Sequence, residues 1–341
     1  MQEISIARDF LEDILLHARR QGLDTQRLLQ RAGIAPGMMQ QRQARFTAEQ
    51  YTSLQTVTMR EMNDEMLGYC RRPSKIGTWS AVCHWMILCR NLSQALKRFC
   101  YFYSISECAF QVTVNSRDEE LHITITPWHN DDVVGPYGYI HFIYALYKVL
   151  CWLSEEQLPM LAVHLPYPAP KAHKEYRAIF PGAQLLFDQP AGVLVLPRRI
   201  RELPIKQTPE SLVRFLRNPL LNIVINDYSQ QTWTGRTRAL LQDQLTNIPT
   251  LEQVAGELGV HSKKLRRELE QEGISYGELK SQLRRDMAIR LLTRTRTSVE
   301  QIAYLTGFAE TSTFTRAFKR WTGTTPFSYR KLGSHSQAGE R

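Results

Sequence analysis

Two short clusters hold the side chains of this 341-residue chain whose types and spacing could do chemistry. Lys263, Lys264, Arg266 and Arg267 form the first, and Ser312, Thr313, Arg316 and Lys319 form the second. Arginine carries a planar fork that grips a guanine edge through two parallel hydrogen bonds, while hydroxyls and lysine reach bases or phosphates. The chemistry on offer is recognition of double-stranded DNA, with no bond made or broken. Bond-making chemistry has one candidate, Cys83 beside His84, a thiol next to an imidazole.

Such donors read DNA only if rigid elements aim them. Ser298 and Gln301 have the spacing of a capping box, and Val299, Ile302, Ala303 and Leu305 give the helix that follows an apolar side. Gly307 ends that helix, because glycine accepts the left-handed backbone needed there, and Phe308 then folds back onto the apolar face. A second helix follows, capped by Thr311 or Ser312, with Phe314 and Phe318 on its buried side and the second donor cluster facing out. The stretch from Thr250 to Gly273 repeats the pattern 48 residues earlier. Thr250 matches Ser298, Ala255 matches Ala303 and Gly259 matches Gly307; one extra residue in the later turn then sets Leu265 against Phe314 and Leu269 against Phe318. The chain thus holds two helix-turn-helix units in tandem. Between them Tyr276 to Thr293 reads as one connecting helix, apolar at Leu279, Leu283, Met287, Ile289, Leu291 and Leu292. A plain helical bundle would share the periodicity but not the matched caps, turn glycines and basic second helices.

Residues 235–332 resemble the AraC/XylS-type DNA-binding domain, whose later half carries G-F-x-x-x-S-x-F-x-R-x-F-K-x-x-x-G-x-x-P-x-x-Y-R; Gly307 to Arg330 fits it closely. The resemblance implies seven helices in two subdomains, with one second helix of each lying in successive major-groove segments. Carried over by position, the base readers would be Lys263, Arg266 and Arg267 in the first unit and Ser312, Thr313 and Arg316 in the second. The paired Lys263-Lys264 and Arg266-Arg267 depart from the pattern by making the first of these helices unusually basic, so that phosphate and base contacts are both open to it. Cys83 invites comparison with DNA-repair methyltransferases joined to AraC-type domains, whose acceptor cysteine sits in P-C-H-R. Here the run is A-V-C-H-W-M-I, without the proline or the arginine, so a packed thiol is expected and a cysteine-based alkyl acceptor is the alternative.

Length and charge agree with two domains. The net charge is +10, and from Gln231 onward there are 18 basic and 11 acidic residues, so the excess follows the end with the two motifs. The expected partition is a sensing and dimerisation domain over residues 1–225, a linker over 226–234, the DNA-binding domain over 235–332 and a tail over 333–341. Cys70, Cys83, Cys89, Cys100, Cys108 and Cys151 are scattered without a C-x-x-C pair or a histidine at metal spacing, as expected of free thiols in the cytosol. His122, His129, His141, His164 and His173 are too dispersed for a site, and no glycine-rich phosphate loop or G-x-S-x-G elbow is present. No metal, cofactor or enzyme activity is expected. The chain opens without a basic-then-apolar leader, which makes the cytoplasm the expected location. Tyr137 to Leu153 is slightly short of a membrane span and contains His141 and Lys148, so it reads as a buried aromatic helix, and no membrane partner is expected.

The first domain reads as α+β, several helices flanking a small mixed sheet, followed by an all-α end in which a linker helix joins the two helix-turn-helix subdomains. Helices are expected at Ile6 to Arg19, Thr25 to Ala32, from a Thr47–Gln50 capping box, at Trp79 to Leu88, Ser93 to Ser104 and Lys174 to Phe180, and as one long helix from Pro209. Cys108 to Asn115 and Glu120 to Thr126 alternate as a hairpin, and Met160 to Leu165, Gln184 to Phe187 and Gly192 to Leu196 read as strands. Most of residues 8–225 resemble, more loosely, the N-terminal ligand-sensing domain of AraC-type regulators related to those of ornithine utilisation and bacterial virulence. The residues concerned are G-L-D-x-x-x-L-L-x-R-A-G at Gly22 to Gly33, N-L-S-Q-A-L at Asn91 to Leu96, E-Y-R-x-I-F at Glu175 to Phe180 and F-D-Q-P at Phe187 to Pro190. That likeness implies sensing of a small-molecule effector and dimerisation; joined to the DNA-binding motifs, it makes a promoter regulator, an activator with RNA polymerase as a partner, the expected role. Trp79, Trp85, Tyr103, Trp128, Tyr137 and His141 are pocket candidates, with core packing the bland reading of each. Asp131-Asp132 reads as a solvated pair that could also meet a cationic ligand.

Overall fold

The protein was analysed as a computed structural model, which describes residues 4–129, 134–170, 175–225, 232–242 and 244–334. Asp131-Asp132, His173, Lys174, most of the expected linker and residues 335–341 of the expected tail lie outside the described residues. Two compact units are present, one built from Met1–Leu15, Gly22–Val57 and Ser229–Arg341, the other from Leu16–Gln21 and Thr58–Tyr228.

Strand β1 (Ser5–Ala7) pairs antiparallel with β2 (Arg45–Thr47), Ser5 opposite Thr47. Between them lie helices α1 (Arg8–Arg20) and α2 (Thr25–Arg31), the latter capped by the Asp24 side chain. The helix expected from Ile6 therefore starts at Arg8. A three-residue ladder is too short to show a strand period, and Ile6 is claimed by Phe46 across the pair. Thr47 and Gln50 form the expected capping box at the head of α3 (Ala48–Met62), with reciprocal bonds of 3.1 and 3.2 Å.

In the second unit α4 (Thr78–Ile87) and α5 (Leu92–Ser106) pack together, Asn91 capping α5. Strands β3 (Gln111–Arg117) and β4 (Glu120–Thr126) make the expected hairpin, and helix α6 (Pro136–Ser154) follows. Strand β5 (Ala162–His164), helix α7 (Tyr176–Ile179) and strands β6 (Gln184–Leu186) and β7 (Gly192–Pro197) complete a five-stranded sheet in the order β3-β4-β7-β5-β6. Only β5 and β6 run parallel, so the sheet is mixed. Leu121, Ile123 and Ile125 are buried and alternate with half-buried His122, Thr124 and Thr126, the period of a strand with one face on the core. Helix α6 is buried along nearly its whole length, and among the described residues no helix is long and apolar enough to cross a membrane. The one helix expected from Pro209 is two, α8 (Pro209–Leu216) and α9 (Pro219–Ile225). Pro219 lacks an N–H and crowds the preceding turn, and the Asn222 side chain donates to the Phe215 carbonyl at 2.7 Å across the break.

The first unit closes with α10 (Trp233–Gln242), α11 (Leu251–Glu257), α12 (Ser262–Gln271), α13 (Tyr276–Arg294), α14 (Val299–Leu305), α15 (Thr311–Thr322) and α16 (Pro326–Ser334). Helix α13 is the expected connecting helix, capped by Ser275 and Glu278, and it packs against α10, α14 and α16 as well as the β1–β2 ladder. Leu241, Val254, Leu265, Leu269, Leu279 and Leu283 form one core around the first motif. Around the second, Phe314 and Phe318 are fully buried, their rings 5.7 Å apart, and Phe318 meets Tyr329 at 5.3 Å.

Candidate nucleic-acid interface

Each helix-turn-helix unit is built by the local chemistry its sequence carries. Thr250 with Gln253 and Ser298 with Gln301 are reciprocal capping boxes on α11 and α14. Gly259 and Gly307 take φ of +70° and +75°, and the residues after them, Val260 and Phe308, return hydrogen bonds of 2.9 Å to Ala255 and Ala303. The two turns differ in surroundings. At Gly307 a Cβ would sit 2.4 Å from the Leu245 carbonyl oxygen, whereas at Gly259 it would meet nothing within 4 Å. Arg284 of α13 holds the later turn, donating to the Gly307 carbonyl at 3.0 Å with its guanidinium 4.9 Å above the Phe308 ring.

Lys263, Lys264, Arg266 and Arg267 are all exposed on α12, opposite buried Leu265 and Leu269. Ser312, Thr313, Arg316 and Lys319 are all exposed on α15, opposite buried Phe314 and Phe318. The helix starts differ from expectation. Helix α15 is preceded by Glu310, which makes no side-chain cap, so Thr311 and Ser312 lie inside its first turn. Ser312 Oγ donates to the Glu310 carboxylate at 3.1 Å and Arg316 Nη2 to Thr313 Oγ1 at 3.3 Å, so neighbouring side chains prearrange two of the four donors. Helix α12 is capped by the His261 ring, whose Nδ1 accepts from the Lys263 amide at 3.2 Å. Arg267 pairs with Glu268 at 2.9 Å, and the Lys264 ammonium lies 5.5 Å from the Trp233 ring centre. The arrangement presents one helix face of lysines and arginines on α12 and one that mixes hydroxyls with cations on α15, which suits phosphates and base edges.

The six pocket candidates fall into several aromatic contacts. Tyr137 and His141 stack at 5.9 Å, and Tyr69 joins Tyr137 at 5.4 Å and His17 at 4.4 Å. Trp79 and Tyr103 both meet Phe99, at 6.5 and 4.7 Å. Trp85 is exposed on α4 and packs on Tyr101 and Phe102, and the Trp128 indole donates to the Cys108 carbonyl at 3.2 Å. Glu65 links the two inner groups, a residue that sequence reasoning did not single out because one glutamate at a helix approach carries no pattern. Its carboxylate accepts from the Gly77 and Trp79 amides, both at 2.8 Å, and burial pushes it up to about 7. His141 lies against the Glu65 backbone, and burial pushes its imidazole down to about 4, which keeps it neutral. Cys83 is fully buried on α4, and burial, aided by the Glu65 charge, pushes its thiol up, the opposite of what a nucleophile needs. Among the described residues no group of three histidines, cysteines or carboxylates could hold a metal ion.

Comparison with known proteins bears on both halves. The family model described as the arabinose-binding domain of AraC transcription regulator, N-terminal, matches residues 22–205, and a helix-turn-helix domain model matches residues 254–332. The chain is 29% identical over 244 residues to the ornithine utilization regulator of Pseudomonas aeruginosa, covering 71% of each chain. It is 27% identical over 191 residues to the HTH-type transcriptional regulator VqsM of the same organism, over 54% of this chain and 57% of that one. Among solved structures, the transcriptional regulator CdpR from Pseudomonas aeruginosa aligns over 82% of this chain and 85% of its own, with 21% identity and a TM-score of 0.32.

Proposed function

The chain belongs to the AraC family of transcription regulators, and from that premise we propose that it is a sequence-specific DNA-binding activator whose activity responds to a small-molecule effector. Residues 235–332 would hold promoter DNA and residues 1–225 would sense the effector and pair two copies, with RNA polymerase as the partner at the promoter and the cytoplasm as the place of action. Lys263, Arg266, Arg267, Ser312, Thr313 and Arg316 are the proposed base readers, with Lys264 and Lys319 on phosphates. The observation that carries this reading is the pair of capped, glycine-turned units, each presenting an exposed second helix rich in donors. The alternative, a cysteine-based alkyl acceptor, is not favoured, because the Cys83 thiol is buried and held protonated.

The test is selection by the full chain from a random-sequence duplex pool, in moderate salt so that phosphate contacts alone do not suffice. The expected product is a motif in two parts, centred about 10 base pairs apart, one helical turn, as two helices reading successive major-groove segments require. Retention of duplexes with no enriched motif would reduce the protein to an electrostatic DNA binder.

A further inference from the structure

Helix α10 begins at Trp233, inside the expected linker of residues 226–234, and its first two amides are satisfied by a residue from another helix. The Trp233 and Thr234 amides donate to the two carboxylate oxygens of Glu272, at 2.9 and 2.7 Å. Glu272 is the C-terminal cap of α12, the helix carrying Lys263, Arg266 and Arg267. A carboxylate is favoured at a helix N-terminus both by the unpaired amides and by the helix dipole, so this one side chain bonds the head of α10 to the tail of α12. The same two helices meet again through Trp233. Its ring lies 4.8 Å from the Arg236 guanidinium and 5.5 Å from the Lys264 ammonium.

Helix geometry gives these contacts a direction. With roughly 100° between successive residues, Lys264, Glu268 and Glu272 follow one another at intervals of four along one flank of α12. Lys263, Arg266 and Glu270 run along the other flank, and Arg267 stands between the two rows. Lys264 and Glu272 of the first flank meet Trp233 of α10, and the other flank carries Lys263 and Arg266. The second helix-turn-helix unit has no counterpart, because the position that matches Glu272 under the repeat is Trp321.

We infer that Glu272 and Trp233 form a clasp that sets the orientation of the first recognition helix from the linker end of α10. Both are positioning residues: they act on DNA through Lys263, Arg266 and Arg267, and a displacement of the chain at Thr232 is delivered to the first helix-turn-helix rather than shared by both. The inference rests on the DNA-binding reading above and adds to it a route by which the preceding segment controls half of the contact.

The experiment uses the full chain, its Glu272→Gln variant, which removes the charge and one acceptor at nearly constant volume, and Trp233→Phe, which keeps a ring between the cations. The probe is a duplex enriched from a random pool by the unaltered chain, with single-base changes in each of its two parts. Glu272→Gln is expected to weaken binding on the order of fivefold to tenfold, from the loss of a charge-assisted pair of hydrogen bonds. The loss should be confined: base changes in the part read by α12 should cease to matter, while those in the part read by α15 keep their full effect. Trp233→Phe should shift the same part in the same direction by less. Equal loss of discrimination in both parts, or none in either, would overturn the clasp, since a merely structural cap lowers stability without choosing a half-site. If the unaltered chain enriches no duplex, the DNA-binding reading fails and the clasp with it; a normal motif with an unchanged Glu272→Gln profile overturns the clasp alone.

Discussion

At the scale of single residues, the two recognition helices differ in how far their donors are prearranged. Arg316 is held by Thr313 at 3.3 Å, and both are exposed, so the guanidinium stands ready without a fixed ion pair to break. Arg267 is tied to Glu268 at 2.9 Å and has to exchange that partner for any base. Arg316→Ala is therefore expected to cost about 1–3 kcal/mol on the enriched duplex and to relax preference at one base pair, the mark of a lost bidentate contact. Binding to a set of single-base variants at two salt concentrations measures this. Uniform weakening with unchanged base preference would make Arg316 a phosphate anchor instead. The residue types were legible from the chain alone, but their partners were not. Glu268, Thr313 and Glu310 are ordinary polar residues until a helix sets them beside the donors.

At the scale of elements, the duplication makes Gly259 and Gly307 equivalent in sequence, and the tertiary surroundings make them unequal. Both have positive φ, so alanine at either costs about 1–2 kcal/mol from the left-handed backbone alone. At Gly259 that is the whole effect, because a Cβ there meets nothing within 4 Å. At Gly307 the new Cβ would sit 2.4 Å from the Leu245 carbonyl and 3.0 Å from an Arg284 nitrogen, so backbone must also shift. Gly307→Ala is expected to exceed Gly259→Ala by at least about 1 kcal/mol, within the range for overpacked sites. Urea unfolding of the two variants followed by circular dichroism decides it, and equal costs would mean that the Leu245 segment yields freely. The misplaced ends are local instead: α15 begins after Glu310, which makes no side-chain cap, and α8 and α9 part at Pro219, a break already written in the sequence.

At the scale of the whole molecule, the first unit joins the two ends of the chain. Ser5 Oγ donates to the buried Asp286 carboxylate at 2.6 Å, and Arg45 donates to Ser5 Oγ and to the Ser5 carbonyl at 2.9 and 2.8 Å. Tyr329 donates from its hydroxyl to the Arg45 carbonyl, and Arg294 pairs with Glu49 at 2.5 Å. A fragment of residues 235–341 retains both recognition helices and is expected to fold and bind DNA, but it lacks Trp233 and Thr234, so its discrimination should survive only in the part read by α15. It also leaves Asp286 and Tyr329 without these partners, so amides of α13 should exchange faster with deuterium than in the full chain. Equal exchange rates would show that the N-terminal ladder contributes nothing to the helical unit. A fragment that binds no DNA at low salt would remove residues 235–341 as an independent module.

The sequence by itself determined much of what depends on neighbours along the chain. Capping boxes, turn glycines, the β3–β4 hairpin and the connecting helix arise from contacts close along the chain, and each was legible as a spacing that the 48-residue repeat made plainer. Only the tertiary structure decided what depends on residues far apart. Ser5 meets Asp286 across 281 positions, Trp233 meets Glu272 across 39, and Glu65 meets the Trp79 amide across 14. None of these pairs leaves a period or a motif, because a single polar side chain acquires its partner only when packing has fixed where the backbone of both will lie.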